Sequence, residues 1–141
     1  MKWDKAGAGA IIGAMDVLSK LKLPLHVVAI AVLAENMPDG NALKPGDVIS
    51  SLGGKSIEIV DTDCEGRLAL ADGISYVQKT FTPKVVIDLG TLTLETFGAL
   101  GNEYAGLFCN DDKLSKELIK AGQVTGEKLW ALPLGEYYAK K

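Results

Sequence analysis

Apolar residues recur at helical spacing between Ala6 and Lys22, where Ile11, Met15, Leu18 and Leu21 are interleaved with Asp16, Ser19, Lys20 and Lys22. The pattern predicts an amphipathic helix that Pro24 ends. Its first half is crowded with small residues, Gly7, Ala8, Gly9, Ala10, Gly13 and Ala14. Glycine costs about 1 kcal/mol against alanine inside a helix, so three of them predict close backbone packing rather than an exposed face. Leu25 to Leu33 is a nearly continuous apolar run rich in β-branched residues, the pattern of a strand covered on both faces. Helix followed by buried strand is the rhythm of an α/β domain.

A loop rich in breakers follows, Glu35-Asn36-Met37-Pro38-Asp39-Gly40 and then Lys44-Pro45-Gly46. Asp47–Leu52 and Ser56–Val60 flank Gly53-Gly54-Lys55 and predict a hairpin. After the acidic stretch Asp61–Arg67, the residues Leu68, Leu70, Ala71, Ile74, Ser75 and Val77 predict a helix to about Lys79. Pro83 precedes a second buried strand, Lys84 to Leu89. Beyond a Thr-rich loop the sequence predicts a short helix over Thr96–Leu100 and a strand over Tyr104–Cys109. Asp111 reads as the N-cap of a helix reaching about Ala121, with Gly122 as its stop. The stretch from Gly126 to Lys141 shows no closing element. The expected fold is α/β, a mixed and largely parallel sheet flanked by helices with one β-hairpin. Residues 1–141 are expected to form a single, partial domain.

Composition narrows the function classes. The chain has 141 residues, a length typical of one domain. Its net charge of −3, without a basic stripe, argues against nucleic acid as a partner, because phosphate neutralisation needs clustered Lys and Arg. The longest apolar run, Val27 to Ala34, is far short of the ~20 residues of a membrane span. Met1-Lys2-Trp3-Asp4 lacks the apolar core of a signal peptide, and Cys64 and Cys109 make no disulfide framework. A cytoplasmic protein is therefore expected, with no membrane partner. A single histidine, His26, excludes a site built on several His ligands and reads as a packing residue at the start of a buried strand. Trp3 and Trp130 read as packing residues too. Arg67 is the one arginine in a chain whose other basic residues are all lysine.

That arginine closes the most informative segment, Asp61-Thr62-Asp63-Cys64-Glu65-Gly66-Arg67. Three carboxylates alternate between a predicted strand and a predicted helix, and alternation in an extended segment turns all three to one side. Anions facing one way repel unless a cation, an arginine or water separates them. A divalent metal satisfies them economically, whereas a solvated acidic loop needs only water. The segment also imitates a calcium loop, with Gly66 at the sixth place and Asp72 at the twelfth. Against calcium stand the strand that enters it and an Asp where bidentate binding calls for Glu.

Asp61-Thr62-Asp63-Cys64-Glu65-Gly66-Arg67-Leu68 resembles the N-T-D-A-E-G-R-L signature of the leucine (cytosol) aminopeptidase family. Further segments match in order. Met1-Lys2-Trp3-Asp4 with its Gly/Ala-rich helix resembles M-K-x-D-M-x-G-A-A, Glu35-Asn36-Met37 resembles E-N-M, and Lys44-Pro45-Gly46-Asp47-Val48 resembles R-P-G-D-V. Asp88-Leu89-Gly90-Thr91-Leu92-Thr93 is similar to D-L-A-T-L-T-G, and Gly126-Glu127-Lys128-Leu129-Trp130 through Pro133-Leu134 to G-E-K-L-W-x-L-P-L.

The resemblance implies a metallopeptidase with two divalent ions, zinc or manganese, that removes N-terminal residues, often Leu, from peptides in the cytoplasm, and that assembles as a hexamer. By matched position it makes Asp4, Asp63 and Glu65 metal ligands, with Glu65 spanning both ions. Arg67 becomes the catalytic arginine that helps hold a bicarbonate. Thr91 and Leu92 line the peptide substrate, and Asp61 stands at a substrate-binding asparagine position. Carboxylate oxygens suit manganese and also hold zinc.

Three departures qualify the match. The family's remaining Lys and Asp ligands and its catalytic Lys lie upstream of the M-K-x-D segment at which this sequence begins. Asp61 puts an anion where the family has an amide. Leu94-Glu95 replaces a pair that begins with Gly, and a Leu side chain there is expected to narrow the pocket. Two functions are consistent with this. One is a metal-dependent aminopeptidase whose isolated chain is weak or inactive. The other is a non-catalytic α/β module that acts with a partner, either further copies of itself or a complementing chain. In both cases apolar surface is expected to lie exposed on the first helix or along the sheet edge.

Overall fold

The computed structural model describes residues 2–139. Met1, which opens the first matching segment, and Lys141, at the end of the stretch without a closing element, lie outside the described residues. The chain falls into two compact units, Met1–Leu92 and Thr93–Lys141.

In the first unit, helix α1 spans Ala6–Leu21, within one residue of the predicted span. Ile11, Met15 and Leu18 are its half-buried stripe, while Leu21 is exposed. Only one of its three glycines is there for space. A Cβ on Gly7 would lie 2.1 Å from the carbonyl oxygen of Leu89, whereas Gly9 and Gly13 face nothing within 4 Å. The helix ends with Lys22 in the left-handed region at φ 50°, ahead of Pro24.

The apolar runs Leu25–Leu33 and Lys84–Leu89 belong to no sheet ladder among the described residues. Leu25, Leu33, Val85 and Ile87 are each more than half exposed. Strand pattern asks for neighbours on both edges and both faces, and the described residues of this unit supply them only in part. Val32 is one exception, since its side chain fills the space that Gly73 leaves. His26 and Trp3 are exposed rather than packed.

The predicted hairpin is present. Strands β1 (Val48–Ser50) and β2 (Ser56–Glu58) pair antiparallel, with Ile49 opposite Ile57. Gly54 supplies the positive φ of the turn. Ile49 and Ile57 are half-buried, and Ile59, two residues on, is only 2% exposed. This period of two is that of a strand with one covered face.

Helix α2 spans Glu65–Phe81 and begins three residues before Leu68. A single 3-10 turn, Thr62–Cys64, leads into it. The acidic segment is therefore not extended as its alternation suggests. It turns, because Asp61 caps the turn by accepting a hydrogen bond from the Asp63 N–H and because Glu65 gains from the positive end of the helix dipole, a benefit of about 0.3–1 kcal/mol. The hairpin is tied to α2 through Leu52, whose N–H donates to Asp72 Oδ1 at 2.8 Å and whose carbonyl accepts from Lys79 Nζ at 2.5 Å. Gly73 is buried, since a Cβ would meet Val32 at 2.4 Å.

The second unit contains α3 (Leu94–Leu100), β3 (Ala105–Leu107), α4 (Asp112–Thr125), β4 (Leu129–Ala131) and α5 (Glu136–Ala139). β3 and β4 are parallel, Gly106 opposite Trp130, with α4 as the connecting helix. This βαβ arrangement forms a two-stranded parallel sheet, separate from the antiparallel hairpin of the first unit, so the described residues carry two small sheets instead of one mixed one. Asp111 caps α4 as predicted, accepting from the Leu114 N–H at 2.8 Å. The predicted stop at Gly122 moves to Gly126, which takes φ 82°. Gly122 lies inside the helix because Glu127 passes over it, its carbonyl oxygen 2.3 Å from where a Cβ would be. β4 and α5 are the closing elements that the sequence did not reveal. Trp130 stacks edge-on against Tyr104 at 5.5 Å between ring centres.

Candidate functional site

The site residues of the first unit come from three places: the turn before α1, the acidic turn and first turn of α2, and the loop after Leu89. Thr91 and Leu92 reach Asp4 and Arg67, and Asp61, Asp63 and Glu65 are not drawn into these contacts. The Thr91 hydroxyl hydrogen-bonds Asp4 Oδ1 at 2.5 Å and lies 3.2 Å from the Asp4 carbonyl oxygen. The Arg67 guanidinium donates to the carbonyl oxygen of Leu92 at 2.9 Å. Consecutive loop residues are thus fastened to the entrance of α1 and to the first turns of α2.

Glycines permit this approach. Gly7 lets α1 lie against the Leu89 carbonyl, and Gly66 lets the Leu92 side chain sit over α2, where a Cβ would be 3.1 Å from Leu92 Cδ2. The glycine between Glu65 and Arg67 has a packing reason of its own.

The three candidate metal ligands differ in setting. Asp4 is exposed and accepts from Thr91. Asp63 is exposed, at the middle of the 3-10 turn. Glu65 is half-buried, and its Oε2 atom is shielded from solvent without a hydrogen-bond partner. A buried anionic oxygen left unpaired is costly, and a cation is one group that satisfies it. That atom fits the metal the family resemblance implies. The set as a whole is not a finished cage, because no group of three or more His, Cys, Asp or Glu side chains among the described residues is arranged to hold an ion.

A cavity of about 560 Å³ opens beside the acidic turn, lined in part by Asn36, Met37, Ile59, Asp61, Glu65 and Asp72. Asp61 borders it while its Oδ1 accepts from Asp63 N–H. Asn36 is a site residue that sequence reading passed over. Its side-chain amide donates to the Thr62 carbonyl at 3.0 Å, and its only signal was its place in the Glu35-Asn36-Met37 segment. In the second unit Leu94 opens α3 and is 80% exposed.

Comparison with known proteins places the chain in a family. The model of the cytosol aminopeptidase family, catalytic domain, matches residues 1–141. A probable cytosol aminopeptidase of Chelativorans sp. (strain BNC1) is 52% identical over 140 residues, covering 99% of this chain and 28% of the relative. That of Caulobacter vibrioides is 49% identical over 141 residues, or 29% of its length. Among solved structures, a mutant of tomato leucine aminopeptidase superposes with a TM-score of 0.85 at 37% identity, over 98% of this chain and 27% of that one. The bottromycin maturation enzyme BotP in complex with Mn reaches a TM-score of 0.88 at 38% identity, over 99% and 31%. The chain thus spans under a third of the length of these relatives. No helix among the described residues is long and apolar enough to cross a membrane. Signature, fold and whole-chain similarity coincide, and the chain belongs to the cytosol aminopeptidase family.

Proposed function

We propose that the chain supplies part of the catalytic site of a metal-dependent aminopeptidase that releases N-terminal residues, leucine by preference, from peptides. The observation that carries this reading is the shielded, unpartnered Oε2 of Glu65 at the start of α2, beside a turn that bears Asp61 and Asp63. Asp4, Asp63 and Glu65 would hold two divalent ions, zinc or manganese. Those ions, when bound, polarise a peptide carbonyl and lower the pKa of water.

The chain's own residues do the positioning. Arg67, whose guanidinium stays charged and presents a rigid fork of donors, braces Leu92 and would help hold a bicarbonate. Thr91 orients Asp4, and Thr91 with Leu92 offers an edge to the peptide, while Asp61 borders the cavity beside it. The family resemblance supports residence in the cytoplasm, as does the free state of Cys64 and Cys109. Exposed apolar residues on α1, such as Ile12 and Val17, support association with further copies, a hexamer in the family, or with a complementing chain.

The second reading is a non-catalytic module that acts through such a partner. It is favoured by the absence of a three-ligand cluster among the described residues. Hydrolysis of leucine p-nitroanilide with Mn²⁺ or Zn²⁺ separates the two. The chain is assayed alone and mixed with a polypeptide carrying the upstream Lys and Asp ligands of a relative. Catalysis predicts a rate above the metal-only background in at least the mixture. Background rates in both arms leave the module reading.

A further inference from the structure

We infer that Asn36 is a positioning residue that fixes the direction in which the Asp63 side chain leaves the acidic turn. The inference rests on the reading of Asp63 as a metal ligand and extends it to a residue without an assigned role.

The argument concerns one peptide group. The carbonyl of Thr62 and the N–H of Asp63 belong to the same planar unit. Its oxygen accepts from Asn36 Nδ2 at 3.0 Å, and its N–H donates to Asp61 Oδ1 at 3.0 Å. Pinned at both polar ends, the plane cannot rotate about the flanking bonds without breaking a hydrogen bond. The plane sets the N–Cα bond of Asp63, and the 3-10 backbone of Thr62–Cys64 sets the rotation about it, so the side chain leaves the turn in a fixed direction. Asp61 provides its half of the clamp from two residues away, as an ordinary turn cap. Asn36 comes from 26 residues earlier.

The chemistry demands an amide at position 36. Its partner is a carbonyl oxygen, so the side chain must donate, and a carboxylate of the same shape would present a second acceptor. Asn36 is half-buried in a loop whose neighbours Glu35 and Met37 are exposed, so the bond is sheltered from competing water. Three nearby carboxylates repel one another, and the Asp61 cap that holds the turn from within is joined by one hydrogen bond from a distant part of the chain. Asn36 supplies that bond.

The test uses the 141-residue chain, with Asn36→Ala and Asn36→Asp. Amide hydrogen exchange is followed at Asp63 and, as an internal reference, at Ile59, whose N–H donates to Asp47 in the hairpin. Both variants are expected to speed exchange at Asp63 at least fivefold relative to Ile59. Mn²⁺ uptake, read from the electron paramagnetic resonance of the free ion, is expected to weaken at least threefold in Asn36→Ala. An unchanged ratio of the two exchange rates, including equal acceleration at both sites, makes Asn36 a general support of the fold and overturns the inference. So does selective loosening at Asp63 with unaltered Mn²⁺ uptake. Should the unsubstituted chain take up no Mn²⁺, the metal reading falls while the exchange ratio still decides whether Asn36 clamps the turn.

Discussion

The Thr91 hydroxyl donates to the Asp4 carboxylate at 2.5 Å across 87 residues of chain, joining the loop after Leu89 to the entrance of α1. Hydrogen bonds to charged groups contribute about 1.5–3 kcal/mol when sheltered, and less where solvent reaches both partners. Both residues are exposed, so Thr91→Val is expected to lower stability by about 1 kcal/mol in urea unfolding. Thr91→Ser, which keeps the hydroxyl, is expected to stay within about 0.5 kcal/mol of the parent. Equal losses in the two variants would show that the methyl group, rather than the bond, matters.

Two glycines of α1 predict opposite signs. Alanine at Gly9 faces open space and is expected to stabilise by about 0.5–1 kcal/mol through helix propensity. Alanine at Gly7 collides with the Leu89 carbonyl and is expected to destabilise by about 1–3 kcal/mol, the usual range for overpacking. Thermal unfolding of the pair, monitored by circular dichroism, reads the contrast directly.

How much was legible in advance follows from the range of the forces involved. The hairpin, α1 and the Asp111 cap were readable because local spacing and turn chemistry decide them. The start of α2 was missed because alternation in Asp61–Glu65 imitates a strand while a side-chain cap and the helix dipole favour a turn. Gly122 reads as a helix stop, yet its reason is the later return of Glu127 across it, a contact with no signature in a window of sequence. Leu25–Leu33 has the composition of a covered strand, and composition does not say where the covering comes from. For the site, the acidic signature and Arg67 stood out, as did Thr91 and Leu92. Asn36 did not, because a single amide that holds a distant carbonyl leaves no pattern.

Replacing Glu65 tests the electrostatics of the acidic turn. Glu65→Gln removes a negative charge whose Oε2 is shielded and unpaired. Without metal, relief of the unpaired oxygen and loss of the helix-dipole contact oppose each other, and stability is expected to change by less than about 1 kcal/mol. With Mn²⁺ it is expected to weaken binding at least tenfold by titration calorimetry. A metal-free Glu65→Gln chain markedly less stable than the parent would mean that the carboxylate already has a favourable partner.

Lys128 gives the second unit an alkaline dependence. Its ammonium donates to Glu103 at 3.1 Å, and this hydrogen bond, with the charge of Glu103 and that of Tyr104, holds its pKa above the usual 10.5. A pKa raised on folding stabilises fully below the unfolded value and is lost as pH climbs through the folded one. Denaturant midpoints are therefore expected to hold steady up to about pH 10 and then to fall more steeply for the parent than for Lys128→Met. Because the pair is exposed, salt is expected to shrink the difference.

Ile59 is the one buried apolar residue among those described, and this has a calorimetric consequence. The heat-capacity increment of unfolding tracks the apolar area newly wetted, about 12–15 cal/mol/K per residue in ordinary globular proteins. A chain that already wets so much of its valine, leucine and isoleucine has a smaller increment. Its free energy of unfolding therefore bends little with temperature, and chilling does little to weaken it.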